Sequence, residues 1–210
     1  MRITSADFQP DGPIPEQFAF GRQDAKTHFA LSRNRNPQLA WTDLPPGCRS
    51  LALIVVDPDA PTVADNVNKE GVVLPVDLPR ADFHHWVMVD IPATCHGVGA
   101  GECSDGVTPG GKKSPPNPGG APNARQGVSD YTNWFAGDPD MGGTYLGYDG
   151  PAPPWNDQRL HRYRFQLFAL DLDRCPVEAP FTADDVRRAM EGHILAEATV
   201  TGTYTLNPDL

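Results

Sequence analysis

Leu51-Ala52-Leu53-Ile54-Val55-Val56-Asp57-Pro58-Asp59-Ala60-Pro61 opens with an unbroken run of six apolar residues and ends on two carboxylates set between prolines. A run this short, rich in Leu, Ile and Val, reads as a strand buried on both faces. Pro58 removes a backbone donor and holds Asp57 extended, so the ladder is expected to end at Asp57. Ala60-Pro61 is a candidate cis peptide. A rigid core strand thus presents acidic groups at a kinked rim. Taken alone, DPD is also what a strand end followed by an Asp-rich turn looks like. The segments that follow give it more weight.

The second central strand is expected over Phe83-His84-His85-Trp86-Val87-Met88-Val89-Asp90-Ile91-Pro92. Strict alternation puts His85, Val87 and Val89 on one face and His84, Trp86 and Met88 on the other. A third strand is expected from His161 to Asp171. There His161, Tyr163, Phe165, Leu167 and Ala169 share a face, and Arg162, Arg164 and Gln166 point outward. Shorter strands are expected at Met1–Ser5 and Thr27–Leu31, with a short apolar stretch at Leu39–Trp41. Near the C-terminus Thr182 is a suitable N-cap, with Asp185 three residues on. Val186, Met190, Ile194 and Leu195 then mark the apolar face of a helix, and a closing strand follows over 198–205.

The segment 93–149 is dense in Gly, Pro, Ser and Asn. A stretch of that length without periodicity is functional or mobile. No core that could stand alone follows it, so it reads as a long irregular insertion over the surface of one domain spanning 1–210, pinned by the aromatics of Tyr131–Phe135. With 23 prolines and 20 glycines, about a fifth of the 210 residues, the composition favours short strands joined by many turns over a helical bundle.

Charge and composition exclude several classes. A net charge of −10 disfavours general nucleic-acid binding, which needs a basic face. No apolar run approaches the roughly 18–20 residues that span a membrane, and the N-terminus lacks a secretory h-region, so a cytoplasmic protein is expected. Cys48, Cys95, Cys103 and Cys175 match no zinc spacing. Cys95 and Cys103 could pair in an oxidising compartment, and free thiols are expected in cytosol.

Candidate site residues therefore gather at strand ends: Asp57 and Asp59, His84 and His85, His161 and Tyr163, with a Gly-Pro-rich loop just before the last pair. Such ends form a pre-organised cup for a small ligand. A carboxylate beside a histidine favours imidazolium, and a cup of His⁺, Tyr hydroxyl and backbone N–H suits a phosphate or carboxylate. Asp and His are also metal-ligand types, but no metal-spaced motif such as HExxH supports that reading, and no metal or cofactor is assigned. There is no GxSxG elbow, though His plus Asp could act as a general base on water.

DPDAP at 57–61, HHW at 84–86, YDGPAPP at 148–154 and HRY at 161–163, in this order, resemble the phosphatidylethanolamine-binding protein family, and more closely its bacterial Raf-kinase-inhibitor-like branch. GHILAE at 192–197 and TGTY at 201–204 are similar to that branch's C-terminus. The resemblance covers roughly residues 28–206 and rests on the four motifs together. It implies a mainly β fold: a β-sandwich of Greek-key topology with a few peripheral helices. It also implies an anion pocket for phosphoryl groups, including the phosphorylethanolamine head. By motif position the ligand-binding residues are Asp57, His85, His161 and Tyr163, with Gly150, Pro153 and Pro154 from the loop and Ala60 and Pro61 at the rim. Asp59, as a turn stabiliser, and Trp86 are supporting residues. His84 is left outside the pocket by its facing. Two departures stand out. The segment 95–140 is longer than in eukaryotic members and could reshape the pocket mouth. The helix that partly covers the pocket in some animal members has no counterpart after Tyr204, so kinase inhibition is not carried over.

The expected function is a non-catalytic binding protein for a small phosphoryl or carboxylate ligand, with a regulatory role on other proteins as its extension. The alternatives are a hydrolase-type enzyme using Asp57 and His85 as an acid–base pair, and an interaction module acting through the 93–149 loop. The many strands leave room for a homodimer through a sheet edge or face.

Overall fold

The computed structural model describes residues 1–210. Ten strands run in chain order: β1 (Arg2–Thr4), β2 (Gly21–Arg22), β3 (Ala30–Leu31), β4 (Leu39–Thr42), β5 (Ser50–Pro61), β6 (Arg80–Pro92), β7 (Gly97–Val98), β8 (Arg125–Gln126), β9 (His161–Leu170) and β10 (Ile194–Tyr204). Two short helices, α1 (Tyr131–Trp134) and α2 (Ala183–Ala189), complete the chain with one 3-10 turn at Glu16–Phe18. The large sheet has the order β10-β9-β5-β6-β8, the small one β1-β4-β7, and β2 and β3 pair separately.

The two main sheets pack as a sandwich. Leu51, Leu53 and Val55 of β5, Trp86 and Met88 of β6, and Phe165 and Leu167 of β9 meet Ile3, Leu39, Trp41 and Val98 of the small sheet in one core. The other face of the large sheet carries Ala52, Ile54, Val87, Val89 and Phe168, covered by Phe181, Val186 and Met190. β5 therefore has apolar neighbours on both sides, and Leu51 to Val56 are all buried, as its unbroken apolar run requires.

Several expectations are corrected by the pairing. β5 does not end at Asp57. It continues to Pro61 through a bulge, with Asp57 opposite Phe83 and Ala60 opposite Ala81. The bulge leaves Pro58 outside the regular ladder, so its missing N–H costs no bond. Ala60-Pro61 is trans, and the one cis bond is Ala179-Pro180. A second bulge lies in β6. Val55 pairs with Trp86 and Val56 with His84, leaving His85 as the extra residue. His85 consequently turns to the Trp86 side of the sheet and not to that of Val87. A third, at Asp90 (φ +61°), brings Ile91 to the same core as Met88.

α2 starts as expected. Thr182 and Asp185 form a reciprocal capping box. The helix ends sooner than the apolar spacing suggests. Gly192 (φ +78°) turns the chain, and Ile194 and Leu195 open β10 as exposed residues instead of extending the helix face. The 93–149 segment is no mere surface excursion. It supplies β7, β8 and α1, and Cys95, Val98, Cys103, Ala121 and Ala124 join the main core.

Candidate functional site

The bulges of β5 and β6 and the start of β9 converge on one cavity of about 430 Å³. Its lining includes Asp57, Ala60, Pro61, His85, Pro153, Pro154, His161 and Tyr163, gathered from four distant parts of the chain. Of the residues expected in the site, Gly150 is not on the wall but behind it. A Cβ there would stand 2.1 Å from the Phe18 carbonyl oxygen, so only glycine lets the loop pass. Asp59 and Trp86 also lie off the wall. Asp59 accepts from Arg159 Nε (2.7 Å) and from Arg162 Nε and Nη2 (2.8 Å each). Burial opposes its ionisation, but the Arg162 bonds outweigh it and hold its pKa at about 2. Trp86 packs edge-on to Tyr148 beneath the site and donates Nε1–H to Gln126.

Asp57 uses both oxygens within the protein. Oδ1 accepts the Asp59 N–H (2.8 Å), closing the DPD turn, and Oδ2 meets His161 Nδ1 at 2.6 Å. No hydrogen bond joins Asp57 to His85, the two residues of the alternative acid–base pair. The partner of Asp57 is His161, whose Nε2 lies 3.2 Å from Asp157 Oδ2. Burial alone would favour neutral imidazole. The hydrogen bonds to Asp157 and Asp57 outweigh it and raise His161 to about 9. His161 is therefore an imidazolium between two carboxylates. Arg80 donates to Asp157 at 2.5 and 3.0 Å. The charges of Asp57, Asp157, His161 and Arg80 cancel, and the floor of the cavity is close to neutral.

His85 is different. Burial lowers its pKa, against the pull of Asp57. Its Nδ1 lies 2.9 Å from the Asp149 carbonyl oxygen, which places the proton on Nδ1 and leaves Nε2 as a lone pair on a cavity residue. The ring packs edge-on against Tyr163 and Tyr131. Burial, then the charge of Asp57, raise the Tyr163 hydroxyl well above its usual pKa, so it is a proton donor. That hydroxyl is buried and makes no hydrogen bond of good geometry, with the Asp57 carboxylate as the acceptor near enough to act on it.

Several positioning groups escaped the sequence reading. Asp149 sits in the YDGPAPP motif, but nothing local marks it as a hub. Its Oδ1 accepts from Lys112 Nζ (2.7 Å) and Asn34 Nδ2 (2.6 Å), while Asn34 Oδ1 accepts the Gly150 N–H (2.8 Å). These bonds hold the loop whose carbonyl sets the His85 tautomer. Asp157 and Arg80 lie outside every motif. Tyr131, foreseen only as an anchor, lines the cavity and donates its hydroxyl to the Gly150 carbonyl (2.7 Å). His84 faces a separate open cleft with Asp82, Asp130 and Asp184, its Nδ1 3.0 Å from Asp130 Oδ2, in keeping with its exclusion from the pocket.

The fold is a β-sandwich with a small preformed pocket at the strand ends. A family model described as phosphatidylethanolamine-binding protein matches residues 4–205, and the chain belongs to that family. Relatives include a UPF0098 protein of Methanothermobacter thermautotrophicus, 31% identical over 97% of this chain and 98% of that one. The UPF0098 protein YbhB of Escherichia coli is 28% identical over 98% and 100% of the two chains. The crystal structure of E. coli YbcL, described as a new member of the mammalian PEBP family, superposes with a TM-score of 0.67 at 25% identity, covering 97% of each chain.

Proposed function

We propose that this protein is a non-catalytic binding protein for a small anion bearing a phosphoryl or carboxylate group. The observation that carries the reading is the Tyr163 hydroxyl, buried on the cavity lining beside His85 without a well-formed hydrogen bond. A buried donor without a well-placed acceptor is costly, and a ligand oxygen relieves it. Neutral His85 accepts the proton of a monoanionic phosphate ester, or takes one up as a dianion enters, and then donates it back as a charge-assisted bond. His161, already saturated by Asp57 and Asp157, keeps the floor neutral so that the anion meets no net negative charge. Asp57 acts by orienting His161 and closing the DPD turn. The four thiols are free, three of them buried, which suits a cytoplasmic location. A regulatory role would follow from ligand-dependent exposure of this mouth to another protein.

Calorimetric titration of the parent, Tyr163→Phe and His85→Ala with phenyl phosphate and inorganic phosphate tests this. Each substitution is expected to weaken binding at least tenfold, about 1.4 kcal/mol. Equal affinity in both variants would remove the floor from the site. Steady turnover of phenyl phosphate by the parent, lost in His85→Ala, would replace binding with catalysis.

A further inference from the structure

Phe83 and Trp134 line the cavity and also a second cleft, of about 540 Å³. Asp82 and His84 reach that cleft from the start of β6, Asp130 from the N-cap of α1, and Asp184 from the first turn of α2. Its charge is one-sided, because no lysine or arginine lines it. Asp130 Oδ2 accepts the His84 backbone N–H at 2.6 Å and meets His84 Nδ1 at 3.0 Å. The other Asp130 oxygen and the side chains of Asp82 and Asp184 enter no hydrogen bond or ion pair. Exposed carboxylates alone are an ordinary surface feature. His84 adds an independent observation. It lines the cleft, is 9% exposed, and its Nε2 is buried without a hydrogen-bond partner. Asp130 fixes the Nδ1 edge of the ring as the donor, so Nε2 on the opposite edge is an acceptor in the neutral imidazole. A buried acceptor without a donor is costly, and a ligand N–H relieves it.

The ligand these groups complement is a cation with several N–H donors. No three of the carboxylates and the imidazole come together closely enough to hold a metal ion. A cation that bridges separated acceptors carries its donors over several atoms, as a guanidinium does with five N–H groups in one plane. Trp134, 45% exposed at the rim, offers a π face on which that plane stacks. The neighbouring rim residues Pro61 and Ala64 are apolar and give the chain that carries the group a surface to lie on. We propose that this cleft is an interaction site for an arginine side chain in a basic segment of a partner protein. The guanidinium lies among Asp82, Asp130 and Asp184, with an N–H directed to His84 Nε2. The net charge of −10 draws such a segment in from a distance. The site lies outside the anion cavity and does not depend on what that cavity binds.

The test is NMR of the imidazole protons together with calorimetry on the full chain at low salt. The probe is the blocked tripeptide acetyl-Leu-Arg-Leu-amide, with its citrulline counterpart and methylguanidine as controls. The arginine peptide is expected to shift the His84 signals saturably and to bind about tenfold more tightly than the citrulline peptide, which keeps the shape and loses the charge. Asp82→Asn and Asp184→Asn, both at exposed positions whose substitution spares the core, should each weaken the arginine peptide by about threefold. Equal binding of the arginine and citrulline peptides, or His84 signals that stay in place at millimolar peptide, would overturn the site. Undiminished affinity in both asparagine variants would overturn it as well. Methylguanidine binding as tightly as the arginine peptide would overturn the assignment to a protein segment and make a small free cation the occupant.

Discussion

His161 is an imidazolium buried between Asp57 and Asp157, and that charge state ties stability to pH. Its pKa of about 9 in the folded protein lies above its ordinary 6.5. Below pH 6.5 the proton is bound in both states and the contribution is complete. It is lost as pH rises through about 9, where the unfolded chain has already released the proton. Urea unfolding at pH 6.5 and 9.5 is expected to differ by up to about 3 kcal/mol from this group. Asp57→Asn should flatten that slope and lower the His161 titration midpoint read by NMR of the imidazole protons. An unchanged midpoint would mean that Asp57 does not hold the proton. Asp57 and His161 were legible in the DPDAP and HRY motifs, but Asp157 was not, and neither was the choice of partner. Asp57 and His161 are 104 positions apart, and a strand end gives no local sign of which histidine will reach it.

Among the elements, β6 and α2 show opposite relations between sequence and structure. The start of α2 is a local matter. Thr182 accepts from the Asp185 N–H while the Asp185 side chain accepts from the Thr182 N–H, and four consecutive residues suffice to specify it. Thr182→Ala is expected to cost about 1 kcal/mol, measured as a lower denaturation midpoint with phosphate binding unaltered, because α2 packs on the far face of the large sheet. A loss near zero would show that the box is not formed in solution. β6 is not local. Its period-2 pattern located the strand, yet assigned His85 to the face of Val87. The bulge against β5 reverses that single side chain and puts it beside Tyr163. A bulge is a mismatch between two strands, so one strand's pattern cannot display it.

In the molecule as a whole, edges and thiols are largely covered. The outer edge of β10 bonds to residues 11–14 at Thr201 and Thr203, so that stretch is closed to the edge-to-edge pairing that the strand content left open. No helix is long and apolar enough to cross a membrane. Burial pushes the Cys103 thiol up to about 12 and Cys175 to about 11, and Cys95 is buried beside them in degree. In native protein a thiol reagent at pH 8 is expected to modify half-buried Cys48 first, with the other three reacting only on unfolding. Rapid native labelling of two or more would contradict this packing. The 93–149 segment, compositionally a linker, contributes Lys112 to the Asp149 hub and Trp134, Phe135 and Met141 to the cavity wall.

By itself the sequence determined the central strands, the capped helix, and the four motifs that carry family membership and most of the cavity's polar residues. These depend on short-range chemistry: apolar runs, proline and glycine placement, and a side chain reaching its neighbour's backbone. Only the tertiary structure decided that His85 turns inward, that Asp57 pairs with His161, that Asp157 and Lys112 complete the network, and that the pocket rises into an apolar mouth. Each of these depends on which distant segments share a surface, and hydrogen bonds or apolar contacts across tens of residues leave no periodic trace in the chain.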